Sequence, residues 1–140
     1  VSSMDGKVPG EQSPFSYVDV TAIQNPDDTI SISARSYSSF IKCLYFSCYN
    51  SKQDSQEILE SLTKTPFNNR IKAGIADTDI RVAHKIGSFA QDTQSDCGLV
   101  YYPNRNYVIC IMLKGPETAD TDKHIAQISK LAFEYVQSLK

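Results

Sequence analysis

Two stretches in the second half of the chain, Cys97–Tyr102 and Tyr107–Leu113, are apolar on nearly every residue. They flank Pro103-Asn104-Arg105-Asn106, a turn composition that folds the two stretches into an antiparallel hairpin. Their Val, Ile, Leu and Tyr content favours the pleated backbone. A strand with one wet face alternates polar and apolar residues, so near-continuous apolarity asks for cover on both faces. The sheet must therefore lie between two other layers. A third apolar run, Ile80–Gly87, extends it.

Helices supply the cover. After Ser33, a suitable N-cap, Tyr37, Phe40, Ile41, Leu44 and Cys48 recur at three- and four-residue spacing and predict a helix over about Ser36–Cys48. Ser51 caps a second helix, Lys52–Thr63, with Ile58, Leu59 and Leu62 inward, and Thr65-Pro66 ends it. The last helix runs from about Asp120 to Ser138. Its expected buried stripe is Ile125, Ile128, Leu131, Ala132, Tyr135, Val136 and Leu139, and Asp120 and Asp122 suit its N-terminal dipole. The class is α+β: an antiparallel sheet of at least three strands, a C-terminal helix packed on it, and a small helical layer. Residues 1–29 read as an extended or loop segment continuing an upstream part of the domain, with a short strand at Tyr17–Ile23. Residues 30–140 form the folded portion.

Composition narrows the function. With 14 basic and 16 acidic residues spread along the chain, no basic patch supports a nucleic-acid partner. The runs Phe40–Phe46 and Val108–Leu113 are too short to span a bilayer, and Val1 is followed by no signal-peptide pattern. Cys43, Cys48, Cys97 and Cys110 match no zinc spacing. They are expected as free, buried thiols. A Cys97–Cys110 bridge across the hairpin is the alternative, and it needs both side chains on one face, which the turn register does not clearly allow. His84 is expected on the face opposite Lys85 and His124 in solvent. Neither has a partner at metal-ligand spacing, so no metal and no cofactor is expected.

The stretch Val82-Ala83-His84-Lys85-Ile86-Gly87-Ser88 resembles the strand bearing the Lys-Thr-Gly motif of serine β-lactamases and penicillin-binding proteins. Asp96-Cys97-Gly98-Leu99-Val100-Tyr101-Tyr102-Pro103 and Asn106-Tyr107-Val108-Ile109-Cys110-Ile111-Met112 are similar to the two strands that follow it in that family. Ser33-Ala34-Arg35-Ser36-Tyr37, with Phe40 and Leu44-Tyr45, resembles a helix of the family's helical subdomain. The resemblance covers roughly Ile30 to Leu139 and implies the C-terminal part of a β-lactamase/transpeptidase-like fold. It implies that Lys85 places positive charge in a cleft and that Gly87 lets substrate approach the strand backbone. It also implies that the Ser88 N–H donates to an oxyanion hole, where one donor is worth roughly 3 kcal/mol of barrier. Ile86 occupies a substrate-binding position where the family has Thr or Ser, and it offers no hydroxyl.

The family's nucleophile is a Ser-x-x-Lys serine far upstream of the lysine strand. Here Ser39–Lys42 and Ser61–Lys64 match the string but lie only 46 (85 − 39) and 24 (85 − 61) residues before Lys85. Both fall in segments that resemble other helices of the family. Ser95-Asp96-Cys97 mimics Ser-Asp-Asn on the wrong side of Lys85, and Glu11 has no surroundings that support a general base. The chain is expected to be part of a serine hydrolase acting on β-lactams or peptidoglycan peptides, without the nucleophile segment and inactive alone. A catalytically inactive domain that binds a cell-wall peptide or a protein is the alternative, and an unrelated α+β interaction module is the third reading. The first two imply an extracellular or cell-envelope location. They also imply apolar area around the Lys85 strand that is covered by self-association or by a missing N-terminal half.

Overall fold

In the computed structural model, residues 32–89 and 92–139 are described. The expected strand at Tyr17–Ile23 and Glu11 lie outside them. Side-chain caps start each helix. Ser33 Oγ accepts the Ser36 N–H at 3.1 Å and opens α1 (Ala34–Tyr45). Ser51 Oγ accepts the Asp54 N–H at 3.0 Å and opens α2 (Lys52–Thr63). Thr118 does the same for α3 (Ala119–Ser138) through the Thr121 N–H. α1 stops at Tyr45, short of the expected Cys48, because the chain turns out of the helix at Ser47 (φ 58°).

The strands are β1 (Arg81–Phe89), β2 (Thr93–Tyr101) and β3 (Tyr107–Lys114), in that spatial order and antiparallel throughout. Pro103 and Asn104 sit at the two central positions of the expected turn. The Arg105 N–H bonds the Tyr102 carbonyl at 2.9 Å and Asn104 takes φ 62°, a conformation that asparagine tolerates. β2 begins four residues earlier than its apolar run. Thr93, Gln94, Ser95 and Asp96 continue the pairing with Phe89 to Ile86, although their polarity reads as loop.

Alternation along the strands sends successive side chains to opposite faces. Val82, Val100 and Ile111 pack with Ile71, Ile75, Ile80, Ile125 and Phe133 beneath α3. Ala83, Cys97 and Leu99 pack with Ile41, Leu44 and Leu59 beneath α1 and α2. The sheet is covered on both faces, as its apolar strands require. Gly74 ends a 3-10 turn (Lys72–Gly74) pressed against α3, where a Cβ would collide with the Ala126 carbonyl. No helix among the described residues is long and apolar enough to cross a membrane.

Two expectations are corrected. The cysteines are not free: Cys43 bonds Cys48, and Cys97 bonds Cys110. The five-residue connection sets a register that places Cys97 directly opposite Cys110, with Cα atoms 3.9 Å apart, so the two side chains share a face. The α3 stripe is also rotated. Ile125, Ser129 and Phe133 are buried, while Ile128, Leu131, Tyr135 and Leu139 are exposed. The buried face follows Ser129, whose hydroxyl donates to the Ile71 carbonyl at 2.9 Å. A buried serine that hydrogen-bonds a neighbouring main chain is invisible to apolar periodicity.

Candidate functional site

β1 is an edge strand among the described residues, so its outer rim is unpaired there. Lys85 lies on the face of α1 and α2, with Ala83 and Gly87. It is exposed, and its Nζ donates to the Ile86 carbonyl at 2.6 Å. A Cβ at Gly87 would lie 2.7 Å from Ser95 Oγ, its cross-strand partner. Ile86 and Ser88 project to the opposite face, where Ile86 is half-buried and Ser88 exposed. The four predicted site residues are thus contiguous on one rim but split between two faces.

Beneath the Ser88 end lies a polar cluster. The Arg70 side chain is 1% exposed. Its Nε donates to Asp122 Oδ1 at 2.6 Å. Its Nη1 donates to the carbonyls of Gly87 at 3.1 Å and Ser95 at 2.8 Å, bridging β1 and β2. Its Nη2 reaches Ser88 Oγ at 3.2 Å, Gln94 Oε1 at 3.3 Å and Glu117 Oε1 at 3.3 Å. Asp122 also accepts from the Asn69 amide. A buried charge is tolerated only when paired and saturated with hydrogen bonds, and Arg70 is both.

His84, expected opposite Lys85, is there and buried. Its Nδ1 lies 2.9 Å from Asp96 Oδ1 and 3.0 Å from Oδ2. Asp96 Oδ2 also accepts the Ile71 N–H at 2.9 Å. The His84–Asp96 pair therefore fastens the segment carrying Arg70 to the sheet. On the other face Tyr37 of α1 packs against the apolar cluster of Ala83, Cys97 and Leu99. Burial, reinforced by the Asp96 carboxylate, pushes its phenol above the usual range, so it stays neutral. His124 is exposed as expected. Among the described residues no cluster of three or more His, Cys, Asp or Glu could hold a metal.

Ser39 lies inside α1 and Ser61 in the last turns of α2. Neither shows a hydrogen bond to Lys85, whose Nζ donates to the Ile86 carbonyl. Arg70, Glu117 and Asp122 had no sequence signal, because they converge from three segments. Asp96 carried one: a carboxylate inside an apolar strand needs buried partners.

Three helices on a three-stranded antiparallel sheet superpose on part of the fold of PBP-A and of class A β-lactamases. PBP-A superposes with a TM-score of 0.72 at 24% identity, over 79% of this chain and 42% of that one. A PBP-A mutant captured as an acyl-enzyme with penicillin G gives 0.73 at 24%, over 82% and 45%. A mutant of the last common ancestor of Gram-negative bacteria class A β-lactamase gives 0.72 at 21%, over 83% and 46%. The chain spans less than half the length of each. No curated protein sequence matches it. A family model described as the Beta-lactamase enzyme family matches residues 7–136, and the chain belongs to that family.

Proposed function

We propose that the chain is the lysine-strand part of a β-lactamase-like serine hydrolase, acting on β-lactams or peptidoglycan peptides with a nucleophile supplied from outside it. Residues 30–140 are then the C-terminal portion of that domain. The observation that carries the reading is the rim of β1. An exposed Lys85, Gly87 beside it and Ser88 beyond it lie along an edge strand whose outer side pairs with no strand among the described residues. A peptide or acyl compound can add to such an edge through main-chain hydrogen bonds. Lys85 supplies charge on one face, Ile86 contacts the ligand on the other, and the Ser88 N–H serves as an oxyanion donor. PBP-A has been captured as an acyl-enzyme with penicillin G, which supports the same acyl chemistry here. Ile86 favours a second reading, an inactive domain that binds cell-wall peptides, because it removes a hydroxyl from the rim. Either reading fits an envelope location. The two disulfides support it, since such bonds persist in oxidising compartments.

The test is direct. The chain alone is expected to leave nitrocefin unhydrolysed and to take no covalent label from a fluorescent penicillin, since a lysine and an oxyanion donor do not replace a nucleophile. The neutral probe N-acetyl-D-alanyl-D-alaninamide is expected to shift the amide resonances of residues 85–88, and Lys85→Ala is expected to weaken it. Labelling at Ser39 or Ser61, or shifts confined to another surface, would overturn the assignment.

A further inference from the structure

The Ser88 end of β1 combines a buried cation with two carboxylates, and the count of charges there has a chemical consequence. Arg70 contributes one positive charge, and Asp122 and Glu117 contribute two negative ones at 2.6 and 3.3 Å. The cluster is therefore formally one unit negative. No donor on the guanidinium is left over: its three nitrogens already meet Asp122, the Gly87 and Ser95 carbonyls, Ser88, Gln94 and Glu117. The Ser88 hydroxyl is committed too, donating to Glu117 Oε1 at 2.9 Å. Ile86, two residues back on the same face, offers no donor. Lys85 points to the other face, with its ammonium on the Ile86 carbonyl.

Glu117 and Ser88 are the exposed members of this group, so they are what an arriving ligand meets. We infer that Glu117 is a specificity-determining residue that keeps ligand carboxylates off the Ser88 end of β1. The rim then takes ligands that are neutral or hydrogen-bond-donating at that point. Glu117 fills the acceptor position on Arg70 and Ser88 that a ligand carboxylate would need, and its charge repels a second one. A donor such as a primary amide meets a carboxylate that can accept. The inference rests on β1 being the binding rim, and it names the ligand class that the rim admits.

Two probes that differ in one group test it: N-acetyl-D-alanyl-D-alanine and its C-terminal amide, titrated against the wild-type chain and Glu117→Gln, with the Gly87 and Ser88 amide resonances as the readout. Glu117 is largely exposed, so loss of its charge is expected to tighten the free acid by about three- to fivefold, the scale of a solvent-exposed ion pair. The amide is expected to change by less than about twofold. Glu117→Ala gives the same ordering if the glutamine retains part of the contact. The inference is overturned if the wild-type chain binds acid and amide equally, if the substitution tightens both alike, or if the acid still fails to bind Glu117→Gln. Failure of the amide to reach residues 85–88 counts against the proposed function. An amide that binds there, with an acid indifferent to Glu117, counts against this inference alone.

Discussion

The two faces of the sheet are built by opposite means. Under α1 and α2 the core is Ile41, Leu44, Leu59, Ala83, Leu99 and the Cys97–Cys110 bridge, with no buried charge among the described residues. Under α3, beside an apolar half around Ile71, Val100, Ile125 and Phe133, lies a polar half of Arg70, His84, Gln94, Asp96 and Ser129. Apolar packing is non-directional and gives way by degrees. A buried charged network holds its members at set distances and fails sharply when one is removed. The polar half sits under Gly87, Ser88 and Ser95, where the proposed binding rim would need fixed carbonyls and amides. The apolar face holds the sheet, and the polar one aims its end.

Removing the centre of the network is the strongest way to break this contrast. Arg70→Met is expected to destabilise the chain by about 3–5 kcal/mol, because Asp122 and the Gly87 and Ser95 carbonyls lose their partner. Urea denaturation reads the loss, and a cost below about 1 kcal/mol would show that the network is dispensable. On the apolar face, the Cys97→Ala/Cys110→Ala double variant is expected to cost about 3 kcal/mol, the scale for cross-linking a loop of about this length. An unchanged melting temperature under reducing conditions would argue that the bridge does not form in solution.

A smaller effect concerns Tyr107, whose hydroxyl is buried without a hydrogen-bond partner among the described residues. Burial pushes its pKa up to about 12. The folded phenol holds its proton while the unfolded one releases it near pH 10. Its contribution is therefore whole below about pH 10 and is lost as the pH rises towards 12. Tyr107→Phe is expected to flatten stability across that window and, by removing an unpaired buried hydroxyl, to raise it at neutral pH. An equal slope in the variant would place the titration elsewhere.

These regions were unequally legible in the sequence. The apolar hairpin, the Ser33 and Ser51 caps and the bounds of α2 follow from periodicity and capping chemistry, which act over a few residues, although Ile58, expected inward, is exposed. The same reasoning stopped β2 at Cys97, because Gln94 and Asp96 read as loop until Arg70, His84 and Ile71 arrive to satisfy them. It also took the exposed Leu131 and Tyr135 for core and missed Ser129. The Cys97–Cys110 bridge depended on register, which one residue of slip would have reversed. Lys85, Ile86, Gly87 and Ser88 could be found as a string. What holds them could not, since Arg70, Glu117 and Asp122 meet only in the folded chain.

Native-state hydrogen exchange at Gly87 and Ser95, compared between Arg70→Met and Leu99→Ala, separates positioning from general stability. Leu99 is 2% exposed in the apolar core, and its truncation is expected to cost a comparable 2–5 kcal/mol. The expected result is faster exchange at those two amides in Arg70→Met beyond what its global stability explains, with Leu99→Ala exchanging there only through global opening. Equal local protection in the two variants would contradict the assignment of the polar half as the element that fixes the rim.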